Sequence, residues 1–98
     1  MSENQNGGPV LKPGKDIVAS MAVGFKETLR KAAADHPGGL TIDMTGVEMV
    51  DSVGLGLLVA AHNSLAKQSG KLTLINVSRD ILSLLRAMRL DKHFVVTP

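Results

Sequence analysis

The chain has 98 residues, of which 44% are hydrophobic and only two are aromatic, and its 11 basic and 9 acidic residues give a net charge of +2. A chain of this length buries roughly 60 to 70% of its unfolded surface, which suits one domain with a single aliphatic core. The basic residues are scattered over several segments, which argues against a nucleic-acid-binding surface, and the absence of cysteine excludes disulfide bonds and thiolate chemistry.

The N-terminal residues 1–8 are polar and glycine-rich and lack apolar periodicity. We therefore expect a disordered N-terminal tail, followed by one domain over residues 9–98. The tail resembles neither a signal peptide nor a lipidation signal, and no apolar run approaches the ~18 residues of a membrane-spanning helix. These features predict a cytoplasmic protein without direct membrane insertion.

The first third of the domain has the pattern of a short strand followed by an amphipathic helix. Residues 10 and 11 are candidates for a strand, which Pro13 restricts to an edge of the sheet. From about residue 19, apolar side chains recur at helical spacing, and Asp16 or Ser20 could cap this helix. Its apolar positions are Ala22, Phe25, Leu29, and Ala32 or Ala33. The segment His36-Pro37-Gly38-Gly39 predicts its end.

The middle of the chain alternates between strand and helix patterns. Residues 40–45 alternate apolar and polar side chains, as a strand does. A second helix is predicted from about residue 52 to residue 69, with Gly70 as its stop. Residues 71–77 then predict another strand, covered on at least one side.

The last third predicts the most strongly amphipathic helix of the chain, capped by Ser78, before a short strand at residues 94–97. The apolar side of this helix carries Ile81, Leu84, Leu85 and Met88, and its outward side carries Arg79, Arg86 and Arg89. Strands and helices alternate throughout. The sequence therefore predicts an α/β fold with about four strands in a mainly parallel or mixed sheet, about three helices and right-handed connections.

The segment between the second strand and the second helix carries a distinctive run. It reads Asp51-Ser52-Val53-Gly54-Leu55-Gly56 and follows the strand residue Asp43. Residues 42–58, which include this run, resemble the signature of STAS domains, the sulfate transporter and anti-sigma factor antagonist family. The resemblance extends more loosely from about residue 10 to residue 97 and implies a single STAS-like domain.

The resemblance implies a regulatory binding module and not an enzyme. In small stand-alone members, the serine of the Asp-Ser pair is phosphorylated by a kinase that is itself an anti-sigma factor, and a phosphatase reverses the reaction. Ser52 would then be the phosphorylation site, Asp51 would help to position it, and Asp43 would close the strand beneath. Gly54 and Gly56 would keep the surface open. The implied partner-binding residues are Asp51, Ser52, Val53, Gly54, Leu55, Gly56 and Asp43.

Short chains of this kind are also similar to STAS proteins that act without phosphorylation. Those proteins are scaffolds in chemotaxis signalling complexes or accessory subunits of lipid ABC transporters. The resemblance therefore implies a protein partner, which is either a serine kinase/anti-sigma factor with its phosphatase or a signalling or transporter ATPase. Formation of a homodimer stays open.

The residues alone leave open whether this run is only a capped helix start or a surface that a partner approaches. Ser52 could simply be the helix N-cap, a role worth about 1 kcal/mol. Gly54 and Gly56 would each cost up to ~1 kcal/mol in the first helical turn relative to alanine. That cost calls for a reason, such as the close approach of another backbone segment or of a partner.

Other kinds of site have less support in the sequence. Gly54-Leu55-Gly56 matches the start of a dinucleotide-binding fingerprint, but Val59 occupies the third glycine position. Asp43 and Asp51 lack an accompanying nucleophile, so they are better interpreted as carboxylates at strand ends. The three histidines, His36, His62 and His93, are far apart in sequence and lack metal-ligand spacing. We therefore expect no catalytic residue, cofactor or metal.

The outward arginines of the third predicted helix have two interpretations. They more often form a solvated face, but a second partner surface that includes Arg86 and Arg89 is the alternative.

Overall fold

The structure is a computed structural model that describes residues 10–98. Its elements are the strands β1 (Val10–Leu11), β2 (Gly39–Asp43), β3 (Lys71–Ile75) and β4 (Val95–Val96), and the helices α1 (Ala22–Asp35), α2 (Ser52–Ala66) and α3 (Arg79–Ala87). The predicted α/β fold with four strands and three helices is confirmed. The predicted tail at residues 1–8 lies outside the described residues.

The four strands form one parallel sheet in the order β1-β2-β3-β4. The sequence predicted a mainly parallel or mixed sheet, and over residues 10–98 all strand pairs are parallel. Thr41 pairs with Val10 on one side and with Thr73 on the other, and Thr73 pairs with Val95. The strand before Pro13 lies at a sheet edge, as predicted.

The core lies on one face of this sheet. Neighbouring residues in a parallel register point to the same side. Four central strand residues on that side are buried, namely Leu40, Ile42, Leu72 and Leu74. The buried faces of the helices belong to the same cluster. Right-handed connections between successive neighbouring strands place every helix on the same face, which agrees with this core.

The opposite face of the sheet carries the row Val10, Thr41, Thr73 and Val95. Thr41 is buried within this row, Thr73 is half-buried, and the two valines on the edge strands are exposed. This face therefore contributes little apolar burial to the domain.

The start of α1 differs from the prediction. A 3₁₀ turn at Ala19–Met21 leads into the helix, and no side chain caps the helix at Met21. The predicted caps Asp16 and Ser20 are therefore wrong. One carboxylate oxygen of Asp16 instead accepts hydrogen bonds from the backbone N–H groups of Glu48 and Met49, at 2.9 and 3.1 Å.

The end of α2 also differs from the prediction. The helix ends at Ala66, and Ser69 adopts the left-handed conformation with φ of 61°. The N–H of Gly70 donates to the Leu65 carbonyl and the N–H of Ser69 to that of Ala66, the pattern of a Schellman motif. Gly70 is instead required by packing, since a Cβ there would overlap the Pro37 carbonyl.

The apolar side of α3 is narrower than predicted. Ser78 caps the helix by accepting from the N–H of Ile81, as predicted. Ile81 and Leu85 are buried and Leu84 is half-buried, but Met88, which follows the last helical residue Ala87, is exposed. Within residues 10–98, no helix has the length and apolar character needed to cross a membrane.

Candidate functional site

The loop between β2 and α2 is held against the connection between β1 and α1. The N–H of Ile17 donates to the Met49 carbonyl at 3.0 Å, and the N–H of Asp51 donates to the Ile17 carbonyl at 3.3 Å. Ile17 is fully buried. Together with the two bonds to the Asp16 carboxylate, these contacts fix the path of the chain into the N-terminus of α2.

Asp51 is the N-cap of α2 and uses both carboxylate oxygens. Its Oδ1 accepts from the N–H of Gly54 at 2.8 Å, and its Oδ2 accepts from the N–H of Ala19 at 3.0 Å. These two bonds favour the charged form and hold the pKa of the Asp51 carboxyl below its usual value. Asp51 therefore joins the start of α2 to the 3₁₀ turn before α1.

Ser52 is the first residue of α2 and is exposed. Because Asp51 provides the cap, the interpretation of Ser52 as the N-cap is wrong. The serine hydroxyl stands beside the backbone N–H groups and the partial positive charge of a helix N-terminus. That environment favours an added negative charge.

The two glycines of the run have different surroundings. A Cβ on Gly54 would overlap the Ile17 carbonyl oxygen, whereas a Cβ on Gly56 would meet nothing within 4 Å. Gly54 is buried, so we assign it a packing role in place of the expected surface role. Leu55 is also buried in the core. Gly56 is exposed, where a partner can reach it.

Asp43 joins the ends of β2 and β3. Its Oδ1 accepts from the N–H of Thr45 at 3.0 Å, from the Thr45 hydroxyl at 2.6 Å and from the side-chain amide of Asn76 at 2.9 Å. The bond from Asn76, followed by those from Thr45, lowers the pKa of Asp43 to about 2. None of these bonds reaches the run from Asp51 to Gly56, so Asp43 supports the loop from the β2 end.

Exposed apolar side chains occur in the loop and helix that carry Ser52 and in the first turn of α1. Val53 and Met49 are 44% and 57% exposed, and Val23, in the first turn of α1, is 86% exposed. Only Val53 was among the predicted partner-binding residues. The exposure of Val23 could have been predicted from the sequence, because this residue falls outside the apolar stripe of its helix. Met49 lies between the buried Val47 and Val50 in a loop, where no periodicity could separate it from them.

The histidines are not all separated in space. The rings of His62 and His93 lie 5.6 Å apart, and Phe94 packs edge-on against His62 at 5.5 Å. His62 and His93 are therefore neighbours in the fold although they are far apart in the sequence. No group of three or more metal-binding side chains occurs in the part of the chain that the structure describes.

Comparison with known proteins identifies the family. The model of the STAS domain matches residues 1–98. The chain is 33% identical over 91 residues to the anti-sigma-F factor antagonist RsfB of Mycobacterium tuberculosis, a match that covers 93% of this chain and 74% of RsfB.

Two solved structures share the fold. A Thermotoga maritima protein classed as an anti-sigma factor antagonist superposes with a TM-score of 0.83 at 21% identity, over 91% of this chain and 77% of that one. The anti-sigma factor antagonist SpoIIAA, in its unphosphorylated form, gives a TM-score of 0.66 at 15% identity, over 79% of this chain and 71% of its own. With a family model that covers the whole sequence and a relative at 33% identity, the chain belongs to the STAS domain family.

Proposed function

We propose that this protein is an anti-sigma factor antagonist whose binding to a protein partner is switched by phosphorylation of Ser52. The general function is supported by the similarity to RsfB. The observation that carries the switch is the position of Ser52, which is exposed at the first turn of α2 while Asp51 makes the capping bonds. The hydroxyl is thus available for modification without loss of the cap.

The reaction at this site is phosphoryl transfer by the partner kinase. The Ser52 Oγ attacks the γ-phosphorus of ATP held by the kinase, the bond to the β-phosphate oxygen breaks, and ADP leaves. The serine proton passes to a base of the kinase or to water. The product carries roughly −1.5 to −2 charges and three acceptor oxygens at the start of α2.

The added phosphate charge weakens partner binding because an acidic residue and apolar side chains lie close to it in the chain. The Asp51 carboxylate lies next along the chain, and the exposed Val53 and Met49 offer apolar contact area to a partner. Burying a doubly charged group in such an interface carries a large desolvation cost. A loss of ~3 kcal/mol in binding free energy lowers the affinity by about 150-fold, which makes a usable switch.

The modification is tested by intact mass. The protein is incubated with ATP and the serine kinase encoded beside its gene, and Ser52→Ala is compared with Ser64→Ala, a change at an exposed serine on the same helix. We expect one phosphate on the wild type and on Ser64→Ala, and none on Ser52→Ala. A phosphate that persists on Ser52→Ala contradicts the assignment.

The switch is tested by affinity for the anti-sigma factor. Ser52→Asp should weaken binding by about 100-fold, and Ser64→Asp should leave it nearly unchanged. The urea midpoint of Ser52→Asp should not fall, since an acidic residue in the first turn stabilises a helix by about 0.3–1 kcal/mol. Binding by Ser52→Asp with wild-type affinity would favour a constitutive scaffold in place of a switch.

A further inference from the structure

A groove lies between β1 and the start of α1. It has a volume of about 630 Å³, and its walls include Leu11, Met21 and Phe25. Lys12 and Lys15 line the same groove, and no aspartate or glutamate is among the described residues that line it. We refer to this feature as the β1–α1 groove. It combines an apolar lining with two positive charges.

The acidic residues nearest to these lysines are not among the described lining residues. One carboxylate oxygen of Asp16 accepts hydrogen bonds from the N–H groups of Glu48 and Met49. Lys12 lies close enough to Asp43 to contribute to the lowering of its pKa. The described lining thus carries two lysines and no carboxylate.

The β1–α1 groove continues into the surface around Ser52. The Asp51 carboxylate binds the N–H of Ala19, and the next residue, Ser20, lines the groove. Val23 also lines it and exposes 86% of its surface. Helices α1 and α2 pack together, and each connects two parallel strands, so the first turns of both helices lie at the same end of the domain.

We propose that the β1–α1 groove binds an acidic segment of the protein partner, in which aspartate or glutamate side chains alternate with apolar ones. The carboxylates would pair with Lys12 and Lys15, and the apolar side chains would cover Met21 and Val23. This inference rests on the proposed function and extends its interface. Charge complementarity selects this occupant, since the described lining offers two lysines and no carboxylate to pair with acidic side chains.

The occupant also strengthens the proposed switch. An acidic segment in the β1–α1 groove places negative charge beside the surface that carries Ser52. Phosphorylation of Ser52 would then repel the bound segment, in addition to the desolvation cost at Val53 and Met49. The switch would therefore act on electrostatic as well as apolar contacts.

The first test uses a synthetic probe and needs no natural partner. A ten-residue peptide that alternates glutamate and leucine, and a matched peptide of lysine and leucine, are titrated into ¹⁵N-labelled protein. We expect the acidic peptide alone to shift the amide signals of Ser20, Val23 and Gly24. Equal binding of both peptides, or shifts confined to other residues, overturns the proposal.

Charge-reversal variants sharpen this test. Lys12→Glu/Lys15→Glu should weaken acidic-peptide binding by about tenfold or more. The control is Lys67→Glu/Lys71→Glu, which changes the net charge equally at exposed lysines outside the groove lining. Urea midpoints verify that both variants are folded. Equal losses in the two double variants would show a mere effect of net charge and overturn the groove as the site.

The second test separates this proposal from the proposed function. The same variants are titrated against the anti-sigma factor, where Lys12→Glu/Lys15→Glu should lose about tenfold and the control should keep its affinity. Wild-type affinity of the groove variant would overturn the groove while the antagonist function stands. Failure of the wild type to bind the anti-sigma factor would instead overturn the proposed function, and the peptide titration would still decide the groove.

Discussion

Asp51 and Ser52 are adjacent residues with separate tasks. Asp51 accepts two backbone hydrogen bonds, one from its own helix and one from Ala19. Ser52 stands exposed in the first turn. The sequence predicted the location of this pair but left open whether Ser52 is the N-cap, because serine and aspartate are almost equally good N-caps. Only the backbone path around Ile17 distinguishes them.

The stability that Asp43 contributes is predicted to depend on pH. Its pKa in the folded protein is about 2, below the value of about 3.9 for an unfolded chain, because Asn76 and Thr45 donate to the charged form. A depressed folded pKa contributes stability that is present above about pH 4 and is lost as the pH falls towards about 2. Asp43→Asn should therefore show a smaller loss of stability between these pH values than the wild type does.

The measurement is the urea midpoint of both proteins at pH 5, 3 and 2. The variant retains a side-chain oxygen that can accept hydrogen bonds, so it isolates the titration from the geometry. Parallel curves for the two proteins over this range would show that Asp43 does not contribute to the acid sensitivity.

At the scale of the element, α2 carries two glycines near its start, and their surroundings differ. Gly54 lies against the Ile17 carbonyl, whereas Gly56 faces open space. Sequence reasoning expected a reason for each of the two glycines, and the structure supplies one for Gly54, while a partner role for Gly56 stays a prediction. The sequence could not show that Gly54 is needed for packing and that Gly56 is not, because the contact of Gly54 with Ile17 joins distant parts of the chain.

The two alanine substitutions should have opposite effects. Gly54→Ala should destabilise the protein by about 2 kcal/mol or more, because the new methyl group forces the chain at Ile17 to move. Gly56→Ala should stabilise it by about 0.5–1 kcal/mol, since alanine is the better helix former and has room. Urea denaturation of both variants measures the difference, and equal changes would argue against the close packing at Gly54.

At the scale of the whole molecule, the sheet divides the domain into a buried side and an open side. Leu74 is fully buried among the helices, while Val95, on the opposite face, is 43% exposed. Parallel sheets are usually covered on both faces, and their strands are then apolar on both sides. Within residues 10–98, the row on the face opposite the helices instead contains the buried Thr41 and the half-buried Thr73 in its centre.

This asymmetry predicts where substitutions are costly. Leu74→Ala should reduce the free energy of unfolding by about 2–5 kcal/mol, because it leaves a cavity in the core. Val95→Ala should change it by about 0.5 kcal/mol or less, as exposed positions usually do. Both values follow from urea denaturation at neutral pH. A large loss for Val95→Ala would indicate that its face is covered in solution.

Much of this architecture could be predicted from the sequence. The alternation of periodicities gave the order of strands and helices, and Pro13 placed β1 at an edge. Helix ends were predicted less well where the determining contact is distant in sequence, as for the start of α1, which Asp51 supports through Ala19. The exposed Val23 and Met49 and the pairing of His62 with His93 depend on tertiary packing in the same way.

The order of the strands in space repeats their order in the chain. Each strand therefore pairs with the strand that precedes it in the sequence, and the loops that must close are all about the length of one strand–helix unit. Such a topology keeps the paired strands close in sequence, which favours fast folding of the domain as a unit. The contact between Asp51 and Ala19 joins residues only 32 apart. The surface that carries Ser52 is therefore built from contacts of short loop length.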